Sequence, residues 1–470
     1  MRGAALSVEA MTESMFLNLP VQLPNKLINS LQNIPGFDEE AFRKAHESVE
    51  QVTSIRINPA KKFKIQKLQS KIPWSELGYY LDTRPSFTFD PLFHAGCYYV
   101  QEASSMFLEQ AVKQIVDLSE PLKILDLSAA PGGKTTHIQS LISKNSLLVS
   151  NEVIRARANI LKDNIIKWGC ENVFVTNNDP ADFSQLENYF DVVVVDAPCS
   201  GSGLFRKDAD AIAKWSLNNV QLCSQRQQRI LADVLPCLKK DGLLIYSTCS
   251  YSSEEDEDVV DWMTAELPLK NLRLAVEENW GVVEVKTPAQ NHCYRFWPYM
   301  LKGEGFFSAC FSKTEGGIQP AIKPKRNIEP ASKKEMSIIC NRIKDEGFQL
   351  LKFAETFYAL PEKLVAELNL LQQYLRIIYC GVETGQVMKE KLVPAHALAL
   401  SNLPNADVER TELNYEQAIQ FLQKKELPIT LFKKGWQIAT HKNFGLGWVN
   451  ALANRVNNYY PKELRILKDI

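Results

Sequence analysis

The sequence has 470 residues, of which 45% are hydrophobic and 23% are charged, a composition that excludes a largely disordered or fibrous chain. At about 150 residues per domain, this length predicts roughly three domains. The formal net charge of −1 excludes binding of nucleic acid through an overall basic surface, so any such contact must come from a local patch.

The cysteines, histidines and apolar segments exclude several further classes of protein. The cysteines form no Cys-x-x-Cys pair, and Glu9 and Glu13 interrupt the only candidate secretory leader, which predicts reduced thiols in a cytoplasmic protein. We expect no metal, because His292 and Cys293 lack companion ligands at a standard spacing. We expect no membrane partner, because no stretch approaches the roughly 18 apolar residues of a spanning helix.

The N-terminal part predicts a small mixed α/β unit, which we assign to residues 1–118. It contains the strand-like run TSIRINP and the turn-like segment DTRPSFTFDP.

Residues 119–313 predict a doubly wound α/β domain, since short β-branched runs alternate with helical periods. Between the second and third runs, apolar residues recur every three to four positions over 154–168, and Gly169 follows, which predicts a crossover helix. Two later runs, CYRFWP and GFFSACF, predict a hairpin that extends the same sheet. The five strand-like runs are KILDLS, LLVSNE, NVFVTNND, DVVVVDAPC and GLLIYSTCS.

The last third of the chain predicts a linker followed by another module. Residues 314–334 are rich in Gly, Pro and Lys, which is typical of a linker. Residues 335–470 begin with a helical pattern and end in short strand-like runs, which predicts a compact α/β or β-rich module. This module is mildly basic, which fits either a nucleic-acid contact or an ordinary solvated surface.

The segment DLSAAPGGKTTHIQSLI predicts a strand, a glycine turn and a helix, so that backbone amides can approach a small anionic or nucleoside ligand at the helix N-terminus. Gly133, Lys134 and Thr135 match the end of a P-loop. Ser128 occupies the place of that motif's first glycine. Because that first glycine is missing, a nucleotide-driven enzyme is kept only as an alternative, and it predicts ATP binding.

Four successive strands are predicted to end on acids, at the sheet edge where ligands bind in open parallel sheets. Each acid could instead cap the helix that follows it, but four in register beside a glycine turn favour a pocket. Glu152 lies at the spacing at which dinucleotide sites place a carboxylate on ribose hydroxyls. The four acids are Asp126, Glu152, Asp179 and Asp196.

Two cysteines, Cys199 and Cys249, follow the fourth and fifth strands. Neighbouring strands lie about 4.8 Å apart, so both thiols are expected beside Asp196. A lone buried cysteine is usually an inert small hydrophobe, whereas two in polar turns at the ligand edge predict reactivity. The inert role is expected for Cys170, Cys223, Cys237 and Cys310.

Three segments, DLSAAPGGKTTH, DAPCSGSGLFRKDADAIAKWS and YSTCSYSSEEDE, together resemble the Sun-type family of RNA cytosine-5 methyltransferases. The resemblance extends to YYVQEASSM and LKGEGFFSA, and VPAHALAL is similar to bacterial members that act on 16S ribosomal RNA. The chain departs from the family at Ser202, where an acidic residue is usual.

This resemblance implies a Rossmann-like domain with a mostly parallel seven-stranded sheet, and smaller α+β RNA-binding domains on both sides, the C-terminal one including a PUA-like module. It implies S-adenosylmethionine as cofactor, with Glu152 on the ribose, Asp179 near the adenine and Asp196 shared between the cofactor and the target base. The implied cofactor turn consists of Ser128, Ala129, Ala130, Pro131, Gly132, Gly133 and Lys134.

The resemblance also implies the chemistry of the two cysteines. Cys249 matches the family's nucleophile, which adds to carbon 6 of cytosine, and Cys199 matches the residue that assists release of the carbon 5 proton. Asp196 would assist at ring nitrogen 3 if it is buried near another acid. Spacing alone leaves the attacking thiol open, because Pro198 and Cys199 also match the Pro-Cys pair of DNA cytosine methylases.

For RNA contacts, Arg206 and Lys207 are expected to hold a phosphate near the flipped base, with an exposed surface pair as the alternative. The acidic run 254–258 is expected to form a charged first helical turn rather than a lid. The expected partner is 16S ribosomal RNA or the small ribosomal subunit, with tRNA or a non-catalytic role in ribosome assembly as alternatives, and the chain is expected to be a monomer.

Overall fold

The computed structural model describes residues 23–48, 52–61, 63, 70–317, 328–344 and 347–469. The candidate leader and the centre of the expected linker, residues 318–327, lie outside these ranges. Within the described residues, no helix combines the length and apolarity needed to cross a lipid bilayer.

The N-terminal unit contains a three-stranded antiparallel sheet with strand order β2-β1-β3. The buried Arg56 of β1 joins this unit to the following domain, because its guanidinium donates to Gln101 and to Ser140 at 2.9 Å each. The elements are α1 (Asn25–Leu31), α2 (Glu39–Glu47), β1 (Thr53–Ile57), β2 (Gly78–Leu81), α3 (Pro91–His94), β3 (Tyr98–Val100) and α4 (Leu108–Ile115).

The central domain follows the alternation of strands and helices that the sequence predicts. Its elements are β4 (Lys123–Asp126), α5 (Gly133–Leu141), β5 (Leu147–Asn151), α6 (Arg155–Trp168), β6 (Val173–Thr176), β7 (Phe190–Asp196), α7 (Ala209–Lys214), α8 (Leu217–Val234), β8 (Leu238–Thr248), α9 (Glu257–Glu266), β9 (Leu269–Leu272), β10 (Val283–Lys286), β11 (His292–Phe296) and β12 (Phe306–Lys313). The predicted crossover helix is α6, and it ends at Gly169 in the left-handed conformation, with φ of +81°.

The C-terminal region contains two four-stranded sheets and one strand, β15, that leaves it to join the central sheet. Its elements are α10 (Lys333–Cys340), β13 (Phe348–Phe353), β14 (Thr356–Pro361), α11 (Val365–Leu371), β15 (Ile377–Cys380), β16 (Val382–Met388), β17 (Lys391–Pro394), α12 (His396–Leu400), β18 (Arg410–Glu412), α13 (Tyr415–Leu422), β19 (Gly435–His441), β20 (Phe444–Ala451) and β21 (Val456–Asn458).

The predicted Rossmann-like sheet is present as β6-β5-β4-β7-β8-β12-β11, in which the first five strands are parallel and the last two antiparallel. Three further strands, β9, β10 and β15, extend it to ten. β15 pairs antiparallel with β6 and thereby covers what would be an open edge of the parallel sheet.

The sheet is buried on both faces, which explains the continuous apolar run in β7. Val192 and Val194 pack into the hydrophobic cluster on one face, whereas Val193 and Val195 pack into the cluster on the other. This alternation follows from the two-residue period of a strand.

The C-terminal region shares a hydrophobic core with the central sheet. Leu364, Leu368 and Leu371 of the segment leading through α11 are buried in the same cluster as Val193 and Leu244. The boundaries 1–118, 119–313 and 335–470 stay predictions. A cut after residue 317 would remove β15 from the central sheet.

We expect Leu371→Ala to lower the free energy of unfolding by about 2–5 kcal/mol, because it removes a fully buried side chain from this shared core. Chemical denaturation followed by tryptophan fluorescence measures the change. The control Leu222→Ala removes a side chain that is 59% exposed and should change stability by no more than about 0.5 kcal/mol. Equal effects of both substitutions would contradict a shared core.

Candidate active site

The four predicted acids lie at the carboxyl ends of the parallel strands, as expected. Asp126 and Asp196 are the last residues of β4 and β7, and Glu152 directly follows β5. Asp179 caps the short helix Pro180–Gln185, where its carboxylate accepts a hydrogen bond from the backbone N–H of Ala181 at 3.1 Å. For Asp179, the alternative role as a helix cap is therefore confirmed.

The glycine turn at 128–134 follows β4 and leads into α5, which begins at Gly133, so the predicted order of strand, turn and helix is confirmed. Gly132 has a φ of +115°, and a Cβ atom at this position would lie 3.2 Å from Leu161 Cδ1, so the turn requires glycine there. Side chains of α6 hold the turn from outside, since Arg157 donates to the carbonyl of Ala130 and Asn164 donates to that of Pro131, each at 2.8 Å.

Asp126 is fully buried beneath this turn. Its Oδ2 accepts a hydrogen bond from Thr135 Oγ1 at 2.6 Å, whereas its Oδ1 has no hydrogen-bond partner among the described residues. Burial raises the pKa of Asp126 to about 7, and the nearby carboxylates Asp196 and Glu152 add to the rise. Lys134 pairs with Asp196 and Arg157 pairs with Glu152, whereas Asp126 forms no ion pair among the described residues. This acid-rich edge suits a cofactor that carries positive sulfonium and ammonium groups.

Asp196 connects the cofactor turn to the cysteines. Its Oδ2 lies 2.8 Å from Lys134 Nζ, and its Oδ1 accepts a hydrogen bond from Ser247 at 2.8 Å. The burial on which the role of Asp196 at ring nitrogen 3 was conditional is only partial, because its side chain is 36% exposed. Asp196 is held instead by one cation and one hydroxyl at the open edge of the sheet.

The two cysteines meet at this edge. The Sγ atoms of Cys199 and Cys249 lie 3.1 Å apart, and both residues are partly exposed. The contact with Cys249 and burial together raise the pKa of the Cys199 thiol well above its usual range. The four cysteines expected to be inert are all buried: Cys170, Cys223, Cys237 and Cys310.

Hydrogen bonds between the two cysteine turns fix this approach. The carbonyl of Cys249 accepts from the backbone N–H of Gly203 at 2.8 Å, and Ser202 Oγ accepts from the N–H of Tyr251 at 2.9 Å. Ser202, where the chain departs from the family pattern, is thus a structural residue of the paired turns.

Glu255 is the site residue that sequence reasoning missed. The acidic run starts helical structure as expected, first as the short helix Ser253–Glu255 and then as α9. Three of its five acids are nevertheless buried. Asp256 and Glu257 pair with the buried Arg295, and Glu255 accepts hydrogen bonds beneath the two cysteine turns. The serines that follow both cysteines, Ser200 and Ser250, were the available signal for a buried acceptor.

Arg206 and Lys207 both approach Glu304, a buried acid of the LKGEGFFSA segment. Their nitrogen atoms lie 3.5 Å from its two carboxylate oxygens. The side chain of Arg206 is only 8% exposed and that of Lys207 is 32% exposed. The alternative of an exposed surface pair is wrong for Arg206, and a phosphate would have to compete with Glu304 for either cation.

The sheet order, the glycine turn and the acids at the strand ends define a Rossmann-like methyltransferase. Solved structures share this fold. A methyltransferase homologue from Pyrococcus horikoshii is 26% identical, with a TM-score of 0.50 over 62% of this chain and 100% of its own. NSun6 from Pyrococcus horikoshii with SFG, an analogue of S-adenosylmethionine, is 20% identical, with a TM-score of 0.52 over 62% of this chain and 98% of its own.

Sequence comparison identifies the particular family. Residues 113–312 match the family of 16S rRNA methyltransferase RsmB/F, residues 23–103 match the N-terminal domain of 16S rRNA methyltransferase RsmF, and residues 408–466 match the RsmF PUA domain. The chain is 30% identical to ribosomal RNA small subunit methyltransferase F of Shewanella piezotolerans, over 84% of this chain and 85% of the relative.

The protein of the same name from Psychromonas ingrahamii is 29% identical over 87% of this chain and 90% of the relative. The chain therefore belongs to the RsmF family of S-adenosylmethionine-dependent methyltransferases. The nucleotide-driven alternative suggested by Gly133, Lys134 and Thr135 is wrong.

We expect Asp126→Asn to change how stability depends on pH. The folded pKa of Asp126 is about 7, above the unfolded value of about 3.9. Wild-type stability is therefore lost as pH rises between these two values, because only the folded state retains the proton. Between pH 5 and 8, the wild type should lose up to about 3 kcal/mol relative to Asp126→Asn.

Chemical denaturation of both proteins at several pH values measures this difference. The control is Asp82→Asn, which changes an exposed acid and should leave the pH profile parallel to that of the wild type. Parallel profiles for Asp126→Asn as well would contradict the raised pKa.

Proposed function

We propose that the protein transfers a methyl group from S-adenosylmethionine to carbon 5 of a cytosine in 16S ribosomal RNA. The observation that carries this proposal is the 3.1 Å contact between the sulfur atoms of Cys199 and Cys249 beside the Asp196–Lys134 pair. Two partly exposed thiols at one ligand edge suit a reaction that needs both a nucleophile and a proton-transfer group.

The thiol has a chemical task, because carbon 5 of cytosine is a poor nucleophile. The sulfur of Cys249, as a thiolate, would add to carbon 6, and the electron pair of the 5,6 double bond would then form the bond from carbon 5 to the methyl group. The bond between that methyl group and the sulfonium would break at the same time, and the cofactor's sulfur would keep the bonding pair. Cys199 would assist by accepting the carbon 5 proton on its sulfur as a thiolate. The electron pair of that C–H bond restores the double bond, and the sulfur of Cys249 leaves carbon 6 with its own bonding pair.

Asp196 and Lys134 hold the base during this sequence. A carboxylate at ring nitrogen 3 stabilises the electron-rich adduct if it carries or shares a proton, and Lys134 at 2.8 Å keeps Asp196 oriented between cofactor and base. The cofactor, bound at the 128–134 turn, supplies an electrophilic methyl group. Alignment of groups held in this way contributes up to about 7–11 kcal/mol of the acceleration.

The glycine turn, Glu152 and Asp179 lie at the same edge of the sheet, which supports binding of one cofactor by all three. Glu152 is buried, and its carboxylate is held by the backbone N–H of Ile154 at 2.9 Å and by Arg157 at 3.2 Å. That fixed carboxylate can accept hydrogen bonds from the two ribose hydroxyls. Asp179, which is 45% exposed, lies on the next strand end, where the adenine would project.

RNA must present its cytosine outside a stack, which costs a few kcal/mol and is easiest in loops. A cleft of about 260 Å³ between the N-terminal and C-terminal units offers a contact for the flanking RNA. Lys344 and Arg410 line it together with the aromatic ring of Phe444, and no carboxylate is among its described lining residues. Lys61 also lines the cleft, but its ammonium donates a hydrogen bond to the carbonyl of Leu400, and burial lowers its pKa to about 8. Cations beside an aromatic ring suit a single-stranded phosphate backbone and a stacked base.

We expect Cys249→Ala and Cys199→Ala to fail at different steps. Cys249→Ala should abolish methylation, since the bond to carbon 6 cannot form. Cys199→Ala should accumulate a covalent RNA adduct, since release of the carbon 5 proton is slowed. Denaturing gels of enzyme with RNA, together with tritium transfer from labelled cofactor, measure both quantities.

Cys310→Ala is the matched control, because Cys310 is buried in β12 away from the cysteine turns and should leave both readouts unchanged. Equal adduct formation by both active-site variants would contradict the division of labour. Bisulfite mapping of ribosomal RNA from cells with and without the gene tests the substrate, and a tRNA target would appear in the same experiment.

We expect the double substitution Lys344→Gln and Arg410→Gln to weaken RNA binding by removing two cations from the cleft. The slope of log affinity against log salt should fall by about 0.7 for each phosphate that the cleft no longer neutralises. Affinity for the cofactor should not change. Lys425→Gln, which removes a cation paired with Asp469 outside the cleft, is the control, and an unchanged salt slope in the double variant would contradict the proposal.

A further inference from the structure

We propose that Glu255 is a positioning residue of the methyl-transfer reaction, whose carboxylate holds the turns of Cys199 and Cys249 at the separation that the two sulfurs need. This inference rests on the proposed function of the cysteine pair. Glu255 reaches neither sulfur with a hydrogen bond of its own, and acts through the residues that flank them.

The contacts of Glu255 are matched on the two turns. Its Oε2 accepts hydrogen bonds from the hydroxyls of Ser200 and of Ser250, the latter at 2.7 Å. These serines directly follow Cys199 and Cys249. One carboxylate oxygen therefore ties together the residues that come after both sulfur-bearing positions.

The second oxygen fixes the other side of the Cys199 turn. Oε1 accepts from the backbone N–H of Ser200 at 2.7 Å and from Gln227 Nε2 at 3.2 Å. The same Gln227 nitrogen lies 3.2 Å from the carbonyl of Pro198, which precedes Cys199. The backbone is thus held immediately before and after the thiol.

Burial of the Glu255 carboxylate costs free energy of desolvation, which indicates a role for this side chain beyond filling space in the core. Glu255 is 0% exposed, and its four hydrogen bonds come from neutral donors, whereas the adjacent Asp256 and Glu257 share the cation of Arg295. Burial raises the pKa of Glu255, and its negative charge contributes to the raised pKa of Cys199. A fixed negative charge here raises the proton affinity of the Cys199 sulfur, which suits a group that takes up the carbon 5 proton, while the hydrogen bonds of Glu255 set the geometry.

The test compares Glu255→Gln with Glu255→Asp and with Asp258→Asn, an exposed acid of the same run. Glu255→Gln removes the charge and turns one acceptor into a donor facing the serine hydroxyls. Glu255→Asp keeps the negative charge, but its side chain is shorter by one methylene, so the carboxylate lies farther from the two serines. Both should lower kcat by about 100-fold with little change in KM, because a displacement of about 1 Å is sufficient for such a loss.

A second measurement separates positioning from a structural role. The rate of alkylation of Cys199 is measured by mass spectrometry as a function of pH. The midpoint of this profile should shift to lower pH in Glu255→Gln and should shift less in Glu255→Asp. Asp258→Asn should match the wild type in both assays. Cofactor affinity, measured by calorimetry, should stay within about 2-fold of the wild type in all three variants.

Wild-type kcat and an unshifted alkylation profile in Glu255→Gln would overturn the proposal. A loss of cofactor affinity that matches the loss of kcat would overturn it too, since that result indicates general damage to the fold. If the wild-type enzyme formed no 5-methylcytosine in RNA, the proposed function would fail instead, and the alkylation profile would still report whether Glu255 controls the thiol pair.

Discussion

The parallel pairing of β7 with β8 is the constraint on which the site depends. Asp196 lies opposite Ser247 in this register, so the chain leaves both strands at the same edge and places Cys199 and Cys249 in adjacent turns. Hydrogen bonds from Gly203 and Tyr251 then hold these turns together. A change of register by one residue would turn the side chains of one strand to the opposite face and separate the sulfurs.

The electrostatics of the site follow from this crowding of strand ends. Parallel strands deliver several acids to one edge, where Lys134 pairs with Asp196 and Arg157 pairs with Glu152. Asp126 lies deepest of these acids, and its raised pKa reflects that burial. A cationic cofactor compensates the excess of negative charge, whereas a phosphate-bearing nucleotide would increase the repulsion, which agrees with the family assignment.

The outer units are packed directly onto the catalytic sheet. Strand β15 completes the edge beside β6, and Leu371 enters the sheet's own core. Residues of the RsmF PUA region, such as Phe421, share a further cluster with Phe87 of the N-terminal unit. Surfaces that flank the active site are therefore held in a fixed relation to it, as recognition of an extended substrate requires.

The sequence by itself determined the five parallel strands and the following hairpin, the crossover helix, the glycine turn and the meeting of four acids with two cysteines. These features depend on local periodicity and on the direction of parallel strands. The extension of the sheet by β15, the exposure of Asp196, the pairing of Arg206 with Glu304 and the burial of Glu255 were decided only by the tertiary structure. Each of these depends on partners far away along the chain. In the sequence, an acid of a charged run that faces water cannot be told from one that is buried and accepts hydrogen bonds beneath a pair of turns. Tertiary packing alone distinguishes the two.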